Sequence, residues 1–279
     1  MTRQKFNKDT VIIAIGGGVC GDLAGFVASV YTRGVRLVHV PTSLLSMVDS
    51  SVGGKNGINF SGKKNNIGTI YQPDFILTDL AFLKTLPRDE FINGCGELLK
   101  YAFLSDKKFF GEICKFTQAG LPANSKLLSP LIHEAIRIKA SVVKQDEHES
   151  DLRKVLNLGH TFAHGIESES GFKIAHGIAV SAGLFASFIL SYKIGMITAE
   201  QIETFAVLPL SIPYPKKLAK LNPEKVVEFM AYDKKSKNAN PQFVLVRDVG
   251  NLALNIAVPK ETVIAALTNA LQIIKQITN

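Results

Sequence analysis

The sequence predicts an α/β segment followed by a mostly α-helical domain with a small hairpin. Three observations carry that expectation. A β-branched run, Val11–Ile15, ends in Gly16-Gly17-Gly18 and is followed by helical signals from Asp22 to Tyr31. A second run, Val35–Val40, is stopped by Pro41. After Pro87 the texture changes, and long helical patterns take over.

Taken in order, Val11–Ile15 and Val35–Val40 read as strands, with Phe75–Thr78 as a third. Strands alternating with helices point to a parallel sheet. The strand, glycine turn and helix have the order of a Rossmann-like nucleotide-binding unit. Such a sheet normally begins with a βαβ unit that holds the adenosine half. This chain opens almost directly on the glycine turn, so the α/β part reads as incomplete. Beyond Pro87–Arg88, helices are expected at Asp89–Leu104, Ser129–Gln145, Gly159–Glu169, Gly177–Ile194, Pro223–Ala231 and Glu261–Ile277. Ser129 reads as an N-cap with Pro130 at the first helical position. Phe243–Val246 and Leu252–Ile256, around Val249-Gly250-Asn251, read as a hairpin. The expected division is 1–88, an incomplete α/β part, and 89–279, a mostly helical part.

The chain has 279 residues, 46% of them hydrophobic and 20% charged, which excludes disordered and fibrous classes. Its net charge of +8 fits an anionic partner. The basic residues are scattered and lack interleaved aromatics, which argues against nucleic acid. The longest apolar stretch, Ile178–Ile189, contains serine and glycine and is shorter than the ~20 residues of a membrane span. Cys20, Cys95 and Cys114 have no metal-type pairing, and an odd number of thiols suits a reduced, cytoplasmic protein.

Several side chains stand out. Glu97 and Lys100 are three apart on one predicted helix, and His160 and His164 are four apart on another, so each pair shares a face. With His176, the residues Glu97 and His160 would form a two-histidine, one-carboxylate set with an open coordination position, the catalytic rather than the structural zinc pattern. The same spacings also serve surface pairs. Lys139 falls on a face lined by Ile132, Ala135, Ile136, Val142 and Val143, so it must snorkel or meet an anion. Arg153, Asn157, His160, His164 and Glu167 would form one polar face if that stretch is a single helix. Gly53-Gly54-Lys55 and Gly62-Lys63-Lys64-Asn65 read as loops suited to anions, with Asp49-Ser50-Ser51 just before them. The glycine turn lets backbone approach a pyrophosphate, although it lacks the usual G-x-G-x-x-G spacing.

In series these segments resemble the 3-dehydroquinate synthases of the sugar-phosphate cyclase superfamily. The matching motifs are Gly16–Phe26 (GGGVCGDLAGF), Arg33-Gly34, Pro41–Lys55 (PTSLLSMVDSSVGGK) and Lys64–Gly68 (KNNIG). They continue with Thr85–Pro87, Gly96–Lys100 (GELLK), Lys139, Leu156–Glu167 (LNLGHTFAHGIE) and His176-Gly177. The resemblance implies conversion of 3-deoxy-D-arabino-heptulosonate 7-phosphate to 3-dehydroquinate in the shikimate pathway. A ring hydroxyl is oxidised with NAD, phosphate is eliminated, the hydride is returned, and the ring opens and recloses by an intramolecular aldol step.

The resemblance also implies roles. Glu97, His160 and His176 would hold zinc, with cobalt able to serve. Lys139 and Arg153 would hold the substrate carboxylate. Lys55, Asn65, Asn157 and His164 would surround the phosphate, with Lys100 near the reacting hydroxyls and a lysine of Asp233-Lys234-Lys235, Lys234 by preference, closing over the phosphate. Arg33 would reach the phosphate of a neighbouring subunit, which implies a homodimer. Gly17, Gly18, Asp22, Thr42, Ser43, Asp49, Lys64 and Thr85 would contact NAD. Three departures stand out: the family's N-terminal segment, which carries the acidic ribose contact, is not in this sequence, and this bears on NAD affinity; Ile178 stands where glutamate is usual, and Gly96 where alanine is common, and these two are expected to be tolerated. The rival readings are a sister cyclase acting on a substrate without a carboxylate, a zinc polyol dehydrogenase and a non-catalytic homologue.

Overall fold

The computed structural model describes residues 6–60, 63–121, 125–233 and 241–278. Strand β1 (Val11–Gly16), helix α1 (Gly18–Val30) and strand β2 (Arg36–Pro41) form a parallel crossover unit, in register from Val11 opposite Arg36 to Gly16 opposite Pro41. The alternation in β1 follows from its period of two: Ala14 is buried, while Ile13 and Ile15 are 58% and 60% exposed. Strands β3 (Lys55–Phe60) and β4 (Lys63–Ile70) make an antiparallel hairpin that lies against α1. Lys55 therefore stands at the root of this hairpin, just after the bend at Gly53-Gly54, and Lys63, Lys64 and Asn65 lie on β4. Strand β5 (Phe75–Ile76) completes a three-stranded sheet of order β1-β2-β5.

The remainder is helical: α2 (Arg88–Leu104), α3 (Lys107–Gln118), α4 (Ser125–Gln145), α5 (His160–Glu169), α6 (His176–Lys193), α7 (Ala199–Leu210) and α8 (Pro223–Asp233). A hairpin of β6 (Gln242–Asp248) and β7 (Asn251–Ala257) and a final helix α9 (Lys260–Thr278) follow. The hairpin turns at Gly250, which has φ +75°. Helices α2 and α6 form the centre. Every residue from Phe91 to Phe103 in α2 and from Gly177 to Ser191 in α6 is buried. Among the described residues no helix is long and apolar enough to cross a membrane.

Two local expectations are corrected. Helix α4 starts at Ser125, so Ser129 is not its cap and Pro130 lies inside it. Burial of Leu128 and Leu131, each 2% exposed, draws the preceding turn into the helix despite the missing N–H of the proline. The stretch from Arg153 to Glu167 is not one helix. A 3₁₀ turn at Leu152–Asn157 ends before Leu158, and Gly159 takes φ +80° before α5 begins. A Cβ at Gly159 would stand 2.9 Å from the backbone N of Leu184 and 3.1 Å from the Val180 carbonyl, so close packing on α6 enforces the turn.

Candidate active site

The site begins where α2 crosses α6. A Cβ at Gly96 would lie 1.9 Å from the Gly177 carbonyl oxygen, and one at Gly177 would lie 1.7 Å from that of Asn93. The helices meet backbone to backbone, and the next residue on one side, Glu97, faces the residue just before Gly177, His176. A similar contact joins α5 to α6: a Cβ at Gly183 would lie 2.2 Å from the Gly159 oxygen. That contact carries His160. Each of the three expected metal ligands is thus chain neighbour to a glycine at a helix contact.

Glu97 is fully buried. His160 Nε2 stands 3.0 Å and His176 Nε2 3.1 Å from the same oxygen, Glu97 Oε1. Candidate ligand atoms of the three residues all lie within 4.8 Å of one another. The far side of each ring faces an oxygen: His160 Nδ1 is 3.2 Å from the Leu158 carbonyl, and His176 Nδ1 is 3.3 Å from Glu167 Oε2. An imidazole that donates from Nδ1 leaves the Nε2 lone pair for a metal. Two such nitrogens converging on one buried carboxylate oxygen fit a divalent cation, and three protein donors leave a coordination position open.

The charges are consistent with that reading. Burial disfavours the Glu97 carboxylate, yet Lys100 and His160 hold its pKa well below the usual range. Burial lowers the pKa of His160, and Glu97 does not restore it. Burial also acts against charged His176, but its contacts with Glu167 and Glu97 raise it to about 9.

Lys100 extends the site. It is 1% exposed, with Nζ 2.7 Å from Glu97 Oε2 and 3.7 Å from Asp49 Oδ1. Burial opposes its charge, and the two carboxylates more than offset it, so its pKa is raised. Asp49 lies on a π-helical turn, Ser46–Ser50, a distortion often found at functional sites. Its Oδ1 accepts from Lys139 Nζ at 2.8 Å and from the Tyr101 hydroxyl at 3.0 Å, and Lys139 also donates to the Asp49 carbonyl at 2.6 Å. The anion that Lys139 requires is, in this structure, Asp49. Burial raises the Asp49 carboxyl, Lys139 and Lys100 outweigh it, and its pKa falls to about 2. Burial lowers the Lys139 pKa by more than Asp49 raises it.

Lys55 and Asn157 meet around a residue that sequence reasoning did not single out. The Glu149 carboxylate accepts from Lys55 Nζ with one oxygen and from Asn157 Nδ2 at 2.7 Å with the other. His164 lies next to His160 on α5, ring centroids 5.9 Å apart. Arg153, 2% exposed, donates to the carbonyls of Gly53 at 2.9 Å and Glu147 at 2.5 Å. Asn65 is turned toward Asp22, with its Nδ2 3.4 Å from Oδ2. Arg33 is exposed on the turn after α1, at φ +67°.

At the other side, α1 begins at Gly18 with no side-chain cap, leaving backbone N–H groups for an anion. A Cβ at Gly17 would come within 3.4 Å of Ser43 Oγ, and one at Gly18 within 3.0 Å of Ser50 Oγ, so the turn is a cradle that side chains would fill. This fits a pyrophosphate. Thr42 N donates to the Gly16 carbonyl at 2.9 Å, Ser43 bonds Ser46, and the Thr85 hydroxyl donates to the Phe82 carbonyl at 3.3 Å. Lys64 lies on β4, and Lys234 falls outside the described residues.

Residues 1–93 match a family model described as 3-dehydroquinate synthase N-terminal, and residues 94–236 match one described as 3-dehydroquinate synthase C-terminal. A 3-dehydroquinate synthase of Legionella pneumophila is 43% identical over 98% of this chain and 74% of its own length. The chain belongs to the 3-dehydroquinate synthase family. Another member, from Alkaliphilus oremlandii, is 42% identical over 94% of this chain and 72% of its own. Among solved structures, 2-deoxy-scyllo-inosose synthase complexed with carbaglucose-6-phosphate, NAD+ and Co2+ superposes with a TM-score of 0.85 at 26% identity, over 96% of this chain and 76% of that one. The 2-epi-5-epi-valiolone synthase from Streptomyces hygroscopicus, with NAD+ and Zn2+ bound, gives 0.85 at 25% identity, over 97% and 76%. Both structural relatives are cyclases like those the sequence resembled.

Proposed function

We propose that this chain converts 3-deoxy-D-arabino-heptulosonate 7-phosphate to 3-dehydroquinate and inorganic phosphate. The observation that carries the reading is the buried Glu97, His160 and His176 set, joined through Lys100 to Asp49. When bound, NAD and the divalent metal supply reversible hydride acceptance and polarisation of ring oxygens. Glu97, His160 and His176 hold the metal, zinc or cobalt. Gly17, Gly18, Asp22, Thr42, Ser43, Asp49, Lys64 and Thr85 border the cofactor.

The residues divide the remaining work. Lys100, whose ammonium form is favoured by two carboxylates, acts as a donor rather than a base and stabilises negative charge developing on a ring oxygen. Lys55, Asn65, Asn157 and His164 receive the phosphate, with Lys234 as a further cation for it. Lys139 and Arg153 receive the substrate carboxylate, Lys139 by exchanging part of its bond to Asp49. Arg33 serves the phosphate of a second copy in a homodimer. Residues 1–88 form the cofactor-binding domain and 89–279 the metal- and substrate-binding domain. The three free cysteines support a cytoplasmic setting.

The rival is a sister cyclase whose substrate lacks the carboxylate. The 43% identity to a 3-dehydroquinate synthase, against 26% to the inosose synthase, favours the first reading. The deciding assay is phosphate release with NAD and zinc, from the heptulosonate phosphate and from glucose 6-phosphate. Lys139→Met and Arg153→Met should each lower kcat/KM for the carboxylated substrate roughly ten- to a hundredfold, because a charge-assisted contact is worth ~1.5–3 kcal/mol. Turnover of glucose 6-phosphate alone, or unchanged kinetics in both variants, would transfer the assignment to the sister cyclases.

A further inference from the structure

The segment between α4 and the turn at Leu152–Asn157 carries Asp146, Glu147, Glu149 and Asp151, a run that composition alone assigns to solvent. The structure builds it into the site. Asp146 accepts from the backbone N–H groups of Ser150, Asp151 and Arg153, each at 2.9 Å, and from the Ser150 hydroxyl at 2.9 Å. Glu147 accepts from Gln72 Nε2 at 2.8 Å through its carboxylate and from Arg153 through its carbonyl. Arg153 reaches on to the carbonyl of Gly53. The segment is thereby fixed beside Gly53-Gly54-Lys55. Within it Glu149 adopts φ +58°, in the left-handed region that glutamate rarely visits, with its carboxylate between Lys55 and Asn157.

A carboxylate that uses both oxygens, one on an ammonium and one on an amide N–H, takes two of the contacts an anionic phosphate would make. We propose that Glu149 is an internal anion that occupies the place of the substrate phosphate and gives up Lys55 and Asn157 when that phosphate arrives. This inference rests on the reading of Lys55 and Asn157 as phosphate ligands. Glu149 carries one charge and two oxygens, whereas a phosphate monoester offers three terminal oxygens and additional charge. Only a ligand that also engages neighbours such as His164 displaces it at low concentration. Glu149 thus sets the affinity threshold of the site. It lowers the apparent affinity for every anion by the same factor, set by the fraction of molecules in which the contact is open, so that weakly held anions no longer occupy the site at low concentration.

The test is calorimetric titration of the full chain with inorganic phosphate, together with steady-state kinetics. Glu149→Gln and Glu149→Ala should both tighten phosphate binding, by about three- to tenfold if the internal contact is formed in most molecules. The substrate KM should fall in parallel, and inhibition by inorganic phosphate should strengthen. Lys55→Met is the control, expected to weaken phosphate about tenfold or more through loss of a charge-assisted contact. Two results are distinguishable failures. If Lys55→Met weakens phosphate but both Glu149 variants bind it no more tightly than the parent, Glu149 is a brace for Lys55 and the proposal is overturned. If Lys55→Met leaves phosphate binding unchanged, the anion site lies elsewhere, and the assignment of Lys55 under the proposed function fails with it.

Discussion

At the metal end of the site, Glu97, His160, His176 and Lys100 are carried by α2, α5 and α6, and the Glu97 and Lys100 side chains are no more than 1% exposed. At the proposed phosphate end, Lys55 and Glu149 have side chains 54% and 23% exposed and are held by hairpin and loop hydrogen bonds. The first arrangement is fixed by backbone contacts with no room for a methyl group. The second is fixed by exchangeable polar contacts. Steric change should therefore damage the metal end most, and changes of charge or pH the phosphate end.

The largest expected effect is loss of the ion. Purified protein should bind one zinc per chain, and His160→Ala or His176→Ala should reduce it to trace levels by metal analysis, since too few protein donors remain to hold it. Full zinc content in both variants would remove the site. The next effect separates packing from ligation. Gly177→Ala removes no ligand residue, but its Cβ would meet the Asn93 carbonyl at 1.7 Å, so α6 and His176 with it must shift. Overpacking of this kind costs ~1–3 kcal/mol, and both the melting temperature and zinc affinity should fall. A variant with lowered stability but parental zinc affinity would show that the crossing does not set the ligand geometry.

The smallest effect belongs to the loop. Backbone N–H groups of Arg153, Asp151 and Ser150 hold the Asp146 carboxyl far below its ordinary value of 3.8. A depressed carboxyl contributes stability that is present above its unfolded pKa and lost as pH falls through its folded one. The parent should therefore exceed Asp146→Asn in stability near pH 7, with the difference shrinking only below about pH 4. Denaturant midpoints across that range would measure it. A difference that grows as the pH falls has the wrong sign for this account.

The contrast also explains what the sequence made legible. Helical spacing exposed Glu97, Lys100, His160 and His164, because residues three or four apart must share a face. Lys139 was conspicuous as a cation on an apolar face, but its partner on the π-helical turn depends on a tertiary contact. Tyr101 follows Lys100 in a buried helix and reads as core, although its hydroxyl reaches Asp49. Glu149 lies in an acidic run, where nothing local separates it from solvated neighbours. The 3₁₀ turn before Gly159 and the early start of α4 were set by packing against α6 and by buried leucines, which overrode local pattern. Glycines adjoining ligand residues were a usable signal: Gly96, Gly159 and Gly177 mark the crossings that bring the ligands together.

Helix α6 has a further consequence. Beyond His176, the fifteen residues from Gly177 to Ser191 have no solvent-facing side. Before docking, that segment is a sticky apolar rod, a hazard during synthesis and a natural client for chaperones. Because His176 stands at its first turn, an ion that binds only when α6 is seated draws the equilibrium toward the finished core. Metal supply would then govern how much chain survives to become soluble protein, before any turnover takes place.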